Sequence, residues 1–437
     1  MQNHRNGWRL IPVTLALHTM PVLATNGHIL HGVGPINQSM GGAGIATSID
    51  AIGSNHNNVS SISFLDTSSI EFALELFIPN RSFSGTVNGG PSGTVDSKTR
   101  EAILPSFGLV YKTQGPWAFG FSAMGISGFG VDYPANNPNP GGNFNPLALP
   151  QSMGGFGAVY SNCQMMQLTP SVAYQLTPDL SLGVGVNVDW AAMVVDPWPG
   201  TTPNASGFPT GTHAASTWGW GVTVGATYRL LDQLKLGLVF KSPQWFGSFS
   251  WNSQYPDGTP ANFRFRLDYP MIIGGGLSYQ PVEPLLLALD VKWINYSGTK
   301  GFEQKNWAMT ASGPFVQGFG WRDIWTVSLG AQYKVTPAFA VRAGYNYGGS
   351  PISSGQQFFN VFAPAIVRHH LTAGAGYELT RRLGLNVSYY HAFSAEQSGT
   401  FISDGTGMVP INQPIPGTQV TNRLHENSIA MQVTYKF

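Results

Sequence analysis

From Ser428 to Phe437 the chain alternates without a break. Ile429, Met431, Val433, Tyr435 and Phe437 share one parity, and Ser428, Ala430, Gln432, Thr434 and Lys436 the other. Successive side chains of a strand point to opposite faces, so this stretch reads as a β-strand with one apolar and one polar face. A strand of this kind, ending on an aromatic residue, suits the closing strand of an outer-membrane barrel. Its apolar face would meet lipid and its small or polar face would line a lumen.

Composition agrees. Charged residues are 10% of the 437 residues, against roughly 25% in soluble domains, while aromatics reach 12%. With that many aromatics the 54 glycines and 31 prolines do not signal disorder. No run of about 18 apolar residues exists, which excludes a helical membrane protein. Residues 1–24 read as a secretory signal: Arg5 and Arg9 ahead of an apolar core from Leu10 to Leu23, then Val22-Leu23-Ala24 as a cleavage site. Its removal takes the formal charge from +1 to −1, with 20 basic residues left against 21 acidic, so no nucleic-acid footprint is expected. The single Cys163 has no internal disulfide partner, and Thr25 rather than cysteine follows the cleavage site, which argues against a lipoprotein.

Fourteen segments carry strand signals, at about 69–82, 102–113, 117–130, 165–177, 180–193, 216–229, 234–251, 261–280, 284–297, 322–335, 338–350, 366–379, 383–395 and 427–437. Tight turns such as Gln114-Gly115-Pro116, Pro178-Asp179 and Thr336-Pro337 alternate with long polar loops. That rhythm fits periplasmic turns and extracellular loops, with both ends of the barrel in the periplasm. Trp190, Trp218, Trp293, Trp325 and Tyr435 lie near strand ends, where interfacial girdles belong. Residues 25–68 lack long alternation, are rich in small residues and are too many for a tail, so they read as a plug inside the lumen.

Two regions carry a family resemblance. One runs from Thr25-Asn26-Gly27 through Met40-Gly41-Gly42-Ala43-Gly44-Ile45-Ala46 to Asp50. The other runs from Trp321-Arg322-Asp323 through Leu329-Gly330-Ala331-Gln332-Tyr333, Val341 to Tyr347, Ser350-Pro351 and Arg368-His369-His370 to Gly374-Ala375-Gly376-Tyr377. On these the chain resembles the FadL family of outer-membrane long-chain fatty-acid and hydrocarbon transporters. The resemblance implies an all-β fold, a fourteen-stranded antiparallel transmembrane barrel (69–437) closed by an N-terminal luminal hatch (25–68). It places hatch function on Thr25, Asn26, Gly27, Gly41, Gly42, Gly44, Asp50, Asn57 and Asn58, and a lateral opening at Gly125, Gly128 and Gly130 of the third strand. Glycines within a strand would also suit small-residue packing against the plug. The family's usual Asn-Pro-Ala signature is replaced here by Asn55-His56-Asn57-Asn58-Val59-Ser60, without proline. The expected partners are hydrophobic small molecules, outer-membrane lipid and lipopolysaccharide, and the barrel-assembly machinery, with the protein a monomer and no cofactor.

Parity supplies candidate luminal residues. Phe77, Val110, Met124, Ile126, Val239, Ile272 and Leu286 would build an apolar pocket. Arg264, Arg266 and Lys292 would gather near the outer mouth as a head-group site for a carboxylate, or as a counter-charged network with Asp268 and Asp290 that only braces the wall; Arg342 carries the same ambiguity. Enzyme chemistry has little support. His391 and Ser394 fall on opposite strand faces, no Gly-x-Ser-x-Gly elbow is present, and the adjacent His369 and His370 diverge. The competing reading is a structural, adhesive or polar-solute barrel with a static plug, whose lumen would be lined by charge.

Overall fold

Alternation of this kind commits each strand to two different solvents, and the sheet satisfies both by closing. A computed structural model of the protein describes residues 26–138 and 143–437; the leader segment and Thr25 lie outside them. Fourteen antiparallel strands form one closed sheet. They are β1 Ser69–Val87, β2 Ala102–Lys112, β3 Trp117–Tyr133, β4 Val159–Gln175, β5 Leu180–Asp196, β6 Ala215–Leu231 and β7 Leu234–Lys241. The ring continues with β8 Met271–Val282, β9 Leu285–Asn295, β10 Ile324–Thr336, β11 Phe339–Gly348, β12 His369–Glu378, β13 Leu383–Gly399 and β14 Thr418–Lys436. β1 closes the ring by pairing with β14 (Ser69 opposite Lys436) and with β2 (Ser69 opposite Val110). Closure pairs the strands on both sides, apart from the outer stretch between β2 and β3, as a sheet within lipid requires.

The two faces separate as the sequence pattern demands. Along β14 the outward Ile429, Met431, Val433 and Tyr435 are exposed, while Ser428, Ala430, Gln432 and Thr434 are buried in the interior. β5 repeats this with outward Leu182, Val184, Val186 and Val188 over buried Ser181, Asn187 and Asp189. Exposed Tyr111, Tyr174, Tyr228, Tyr279, Tyr333 and Tyr377 mark the ends of strands that run into the short turns, with Tyr435 at the same rim; Trp218, Trp220, Trp245 and Trp325 are exposed near the opposite rim. Such paired belts sit where ring and headgroup meet.

Several strands extend beyond their hydropathy signal: β1 reaches Val87, β5 reaches Asp196, and β14 starts at Thr418 rather than near 427. These outer ends stand beyond the apolar band, so nothing forces their exposed face to be apolar. A sharper departure concerns the expected strands 234–251 and 261–280. Each is split, at Ser242-Pro243-Gln244 and at Leu267-Asp268-Tyr269-Pro270, and a separate hairpin forms from Phe249–Gln254 and Pro260–Phe265. Proline has no N–H for the ladder, so both breaks end the pairing. Arg264 and Arg266 therefore leave the luminal wall. Arg264 is exposed on the hairpin, and Arg266 reaches back 2.9 Å to Asp268.

Candidate functional site

Residues 26–65 fill the barrel interior. Helix α1 (Pro35–Ser39) and helix α2 (Ala51–Asn57) are wholly buried, and a 3-10 turn, Val59–Phe64, follows. Asp50 caps α2 by accepting from Gly53 N at 2.9 Å, the usual way to satisfy a free N-terminal donor. The barrel makes room with luminal glycines. A Cβ on Gly108 would meet Ile52, on Gly183 Ser60, on Gly237 the Ile45 backbone, on Gly330 Met40 and on Gly344 the Gly41 backbone. Gly41 and Gly42 themselves have φ of 66° and 80°, a conformation that favours glycine. Asp290 accepts from Gly44 N at 2.7 Å and Ile45 N at 2.9 Å. Asn58 donates to Ile45 O at 2.8 Å and to Thr227 Oγ1 at 3.2 Å, tying the end of α2 to β6.

Among the described residues, pairing of the wall is interrupted at one seam. β2 and β3 pair only from Ser106 opposite Met124 to Lys112 opposite Ala118. Beyond Met124, β3 shifts register against β4 between Gly125 and Ser127, and its burial alternation gives way to continuous burial through Val131. A bulge bends a strand and re-aims its side chains. Here the free edge of β3 is taken by the N-terminal segment: Ile29 bridges Ser127, Gly128 N donates to His28 O at 3.1 Å, and Leu30 N donates to Ile126 O at 3.5 Å. His28 also hydrogen-bonds Ser127 through Nδ1, and its ring lies stacked on Phe302 beside Tyr269, Tyr296 and Trp321. Burial pushes this imidazole down to about 3, so it is neutral at ordinary pH. Tyr296 donates to Asn26 O at 2.7 Å and accepts from His28 N at 3.2 Å, holding the start of the segment.

Behind the seam lies a small cavity of about 20 Å³, room for about one water in this closed state. Ile29, Leu30, Val239, Ile272 and Ile294 supply apolar lining; His31, His56, Lys241 and Lys292 supply the polar side. Above it, on the long-loop side, Leu147, Phe156, Phe208, Trp307, Phe358, Phe401 and Ile402 line an open, largely apolar groove of about 200 Å³. Nearby, Trp198 and Phe263 stack with ring centroids 5.3 Å apart.

The residues singled out from the sequence thus disperse. Val239, Ile272 and Lys292 meet in the cavity. Phe77, Met124 and Ile126 belong to the large apolar cluster continuous with it, whereas Val110 packs under α2 with Ala51, Ile62 and Leu65. Leu286 and Arg342 line a polar vestibule at the short-turn end, where Arg342 donates to Gln332 Oε1 at 2.7 Å and Asn386 Oδ1 at 3.0 Å. Arg264 and Arg266 do not join Lys292. Lys241 and the buried histidines went unnoticed in the sequence; Lys241 shares the parity of Val239, so the same count along β7 places it inward.

Comparison with known proteins fits this architecture. The family model described as outer membrane protein transport protein (OMPP1/FadL/TodX) matches residues 25–437. The long-chain fatty acid transport protein of Escherichia coli (strain K12) is 22% identical over 392 residues, covering 79% of this chain and 83% of that protein. The crystal structure of a Pseudomonas aeruginosa FadL homologue superposes with a TM-score of 0.70 at 18% identity, over 94% of this chain and 100% of that one. The P. putida toluene transporter TodX gives 0.67 at 18% identity, over 93% and 99%.

Proposed function

We propose, for a chain that belongs to the OMPP1/FadL/TodX family of outer-membrane transport proteins, that it takes up hydrophobic compounds by diffusion through the luminal cavity and out sideways at the β2–β3 seam. The observation that carries this reading is the seam. It is the stretch of wall where strand pairs with plug instead of strand, and an amphipathic cavity lies directly behind it. A molecule captured in the aromatic groove would descend to the cavity and leave into the membrane without meeting the polar vestibule.

In this reading residues 1–24 are a cleaved signal, 25–68 are a hatch and 69–437 the barrel. Gly125, Gly128 and Gly130 allow the inward bend of β3, and Asn26, Gly27, Gly41, Gly42, Gly44, Asp50, Asn57 and Asn58 set the hatch conformation. Fatty acids and aromatic hydrocarbons, the cargo named for the relatives, are the substrate classes that suit the lining. The protein works as a monomer in lipid and lipopolysaccharide, is inserted by the barrel-assembly machinery, and does no catalysis. A polar-solute porin is not favoured, because its pore would need an open charged lumen and this one is filled.

Uptake in a bacterial strain lacking its own transporter tests the reading, with oleate and toluene offered separately. Entry of at least one, dependent on the protein, is expected. Correct insertion with entry of neither would overturn it.

A further inference from the structure

On its lipid face, one sector of the wall departs from the rest. Eight residues lead from Tyr228 to Trp220 on β6 and from Tyr333 to Trp325 on β10, that is, from the short-turn rim to the outer belt. The same interval leads from Tyr377 to His369 on β12 and from Tyr435 to Asn427 on β14. Between them His391 of β13 lies opposite Leu371 on one side and Asn427 on the other. His425 is the next outward residue of β14. Where β6 and β10 carry indole, these three strands carry imidazole and amide. The groups are held in place by one another. Tyr345 Oη and His369 Nδ1 are 2.5 Å apart; Asn427 Oδ1 lies 2.9 Å from His391 Nδ1 and accepts from Tyr389 Oη at 2.8 Å. Nearer the long loops, Arg423 pairs with Glu396 at 2.5 Å. Arg368, beside His369, is exposed and has no ion pair among the described residues.

A groove adjoins this patch on the same face. Leu277, Leu287, Leu289, Leu329, Ala343 and Leu371 line a depression of about 770 Å³. Two residues join groove to patch: Tyr345 lines the groove and bonds His369, and Leu371 lines it and lies opposite His391. An apolar slot below a polar, basic rim matches the two halves of a lipid. Arginine suits a phosphate, imidazole and amide groups suit sugar hydroxyls, and the slot suits an acyl chain. The rim belongs to the long-loop side, hence to the outer leaflet, whose lipid carries a phosphorylated sugar head. We propose that this face holds one molecule of that glycolipid, lipopolysaccharide. Its head lies on His369, His391, His425, Asn427, Arg368 and Arg423, and an acyl chain lies in the groove. The site rests on the outer-membrane placement of the family and not on the transport route.

Native mass spectrometry of the full-length protein in a non-ionic detergent tests the site. Lipid A carrying both phosphates is titrated beside its dephosphorylated form and phosphatidylglycerol. One lipid A per chain should bind, and the other two should bind about tenfold more weakly or worse, since hydrogen bonds to charged groups are lost. His369→Leu with His391→Leu and Asn427→Leu, which restores an apolar row, should raise the Kd for lipid A by about tenfold or more. Arg368→Gln, at the strand end, should raise it without touching the row. Ala343→Phe, filling the groove, should raise it by about threefold or more through lost acyl contact. Unchanged affinity in these variants, or equal binding of phosphatidylglycerol, would overturn the site. Dimers without lipid, broken by Ala343→Phe, would overturn it too and give the face to a second copy of the chain. Uptake by the wild-type protein is scored separately: lipid A bound with no uptake defeats the transport reading alone.

Discussion

β14 and β3 start from similar alternation and end in different states. β14 keeps its parity over the whole span and is paired along both edges, with β1 from Thr418 to Lys436 and with β13 through one bulge. β3 keeps its parity only to Met124 and then surrenders one edge to the N-terminal segment. The contrast lies in side-chain size. Ile429, Met431, Val433 and Tyr435 give β14 an outward row that only lipid can cover. Gly125, Gly128 and Gly130 give β3 no comparable row, so its outer half can turn inward and bury both faces. Where a strand loses its outward apolar row, nothing holds its outer half against lipid.

The largest test of that contrast staples the seam. In a Cys163→Ser background, Ser106→Cys with Met124→Cys, the last opposed pair of the β2–β3 ladder at the edge of the seam, should form a disulfide across β2 and β3. Uptake should fall by at least about tenfold and return on reduction, as expected where a moving element gates passage. Unchanged uptake with the disulfide formed would show that the seam is not the route. A stapled pair within β14 and β13 should leave uptake intact.

Next in size is the seat of the N-terminal segment. Gly344→Val puts a side chain where the Gly41 backbone lies, and should weaken docking of residues 26–65 by about 1–3 kcal/mol, read as faster proteolysis of that segment. Ala331→Val, facing outward in the neighbouring strand, should have no such effect. If both variants are equally sensitive, the luminal glycines are not a seat.

Acid offers a graded test. Docked His28 has a value of about 3 against an ordinary 6.5 when released. Between these values the released form binds the proton, so docking weakens as pH falls from about 6.5 toward 3, by about 1.4 kcal/mol for each unit of separation at most. Proteolysis of the segment should therefore rise over that window, and His28→Phe should flatten the rise. An identical pH profile in the variant would assign the effect to another group. The smallest change is expected from Met431→Leu on the lipid face of β14, within about 0.5 kcal/mol by heat denaturation; a larger loss would mean that the face packs against protein.

Parity alone was enough for the wall. A period of two, repeated between turns of alternating length, determines a closed barrel and which side chains meet lipid, because each strand must satisfy apolar and polar surroundings at once. It was also enough to place Val239, Ile272 and Lys292 inward. It misplaced Arg264 and Arg266, because Pro243 and Pro270 break the strands from which their facing had been counted. It carried no sign that His28 to Leu30 complete the edge of β3, or that Lys241 and Lys292 grip the end of α2. Those partners lie 99 residues apart for His28 and Ser127, 185 for Lys241 and His56, and 235 for Lys292 and Asn57. Local periodicity fixes only which face a side chain takes; what it meets across the lumen is set when the barrel closes around its own N-terminal segment.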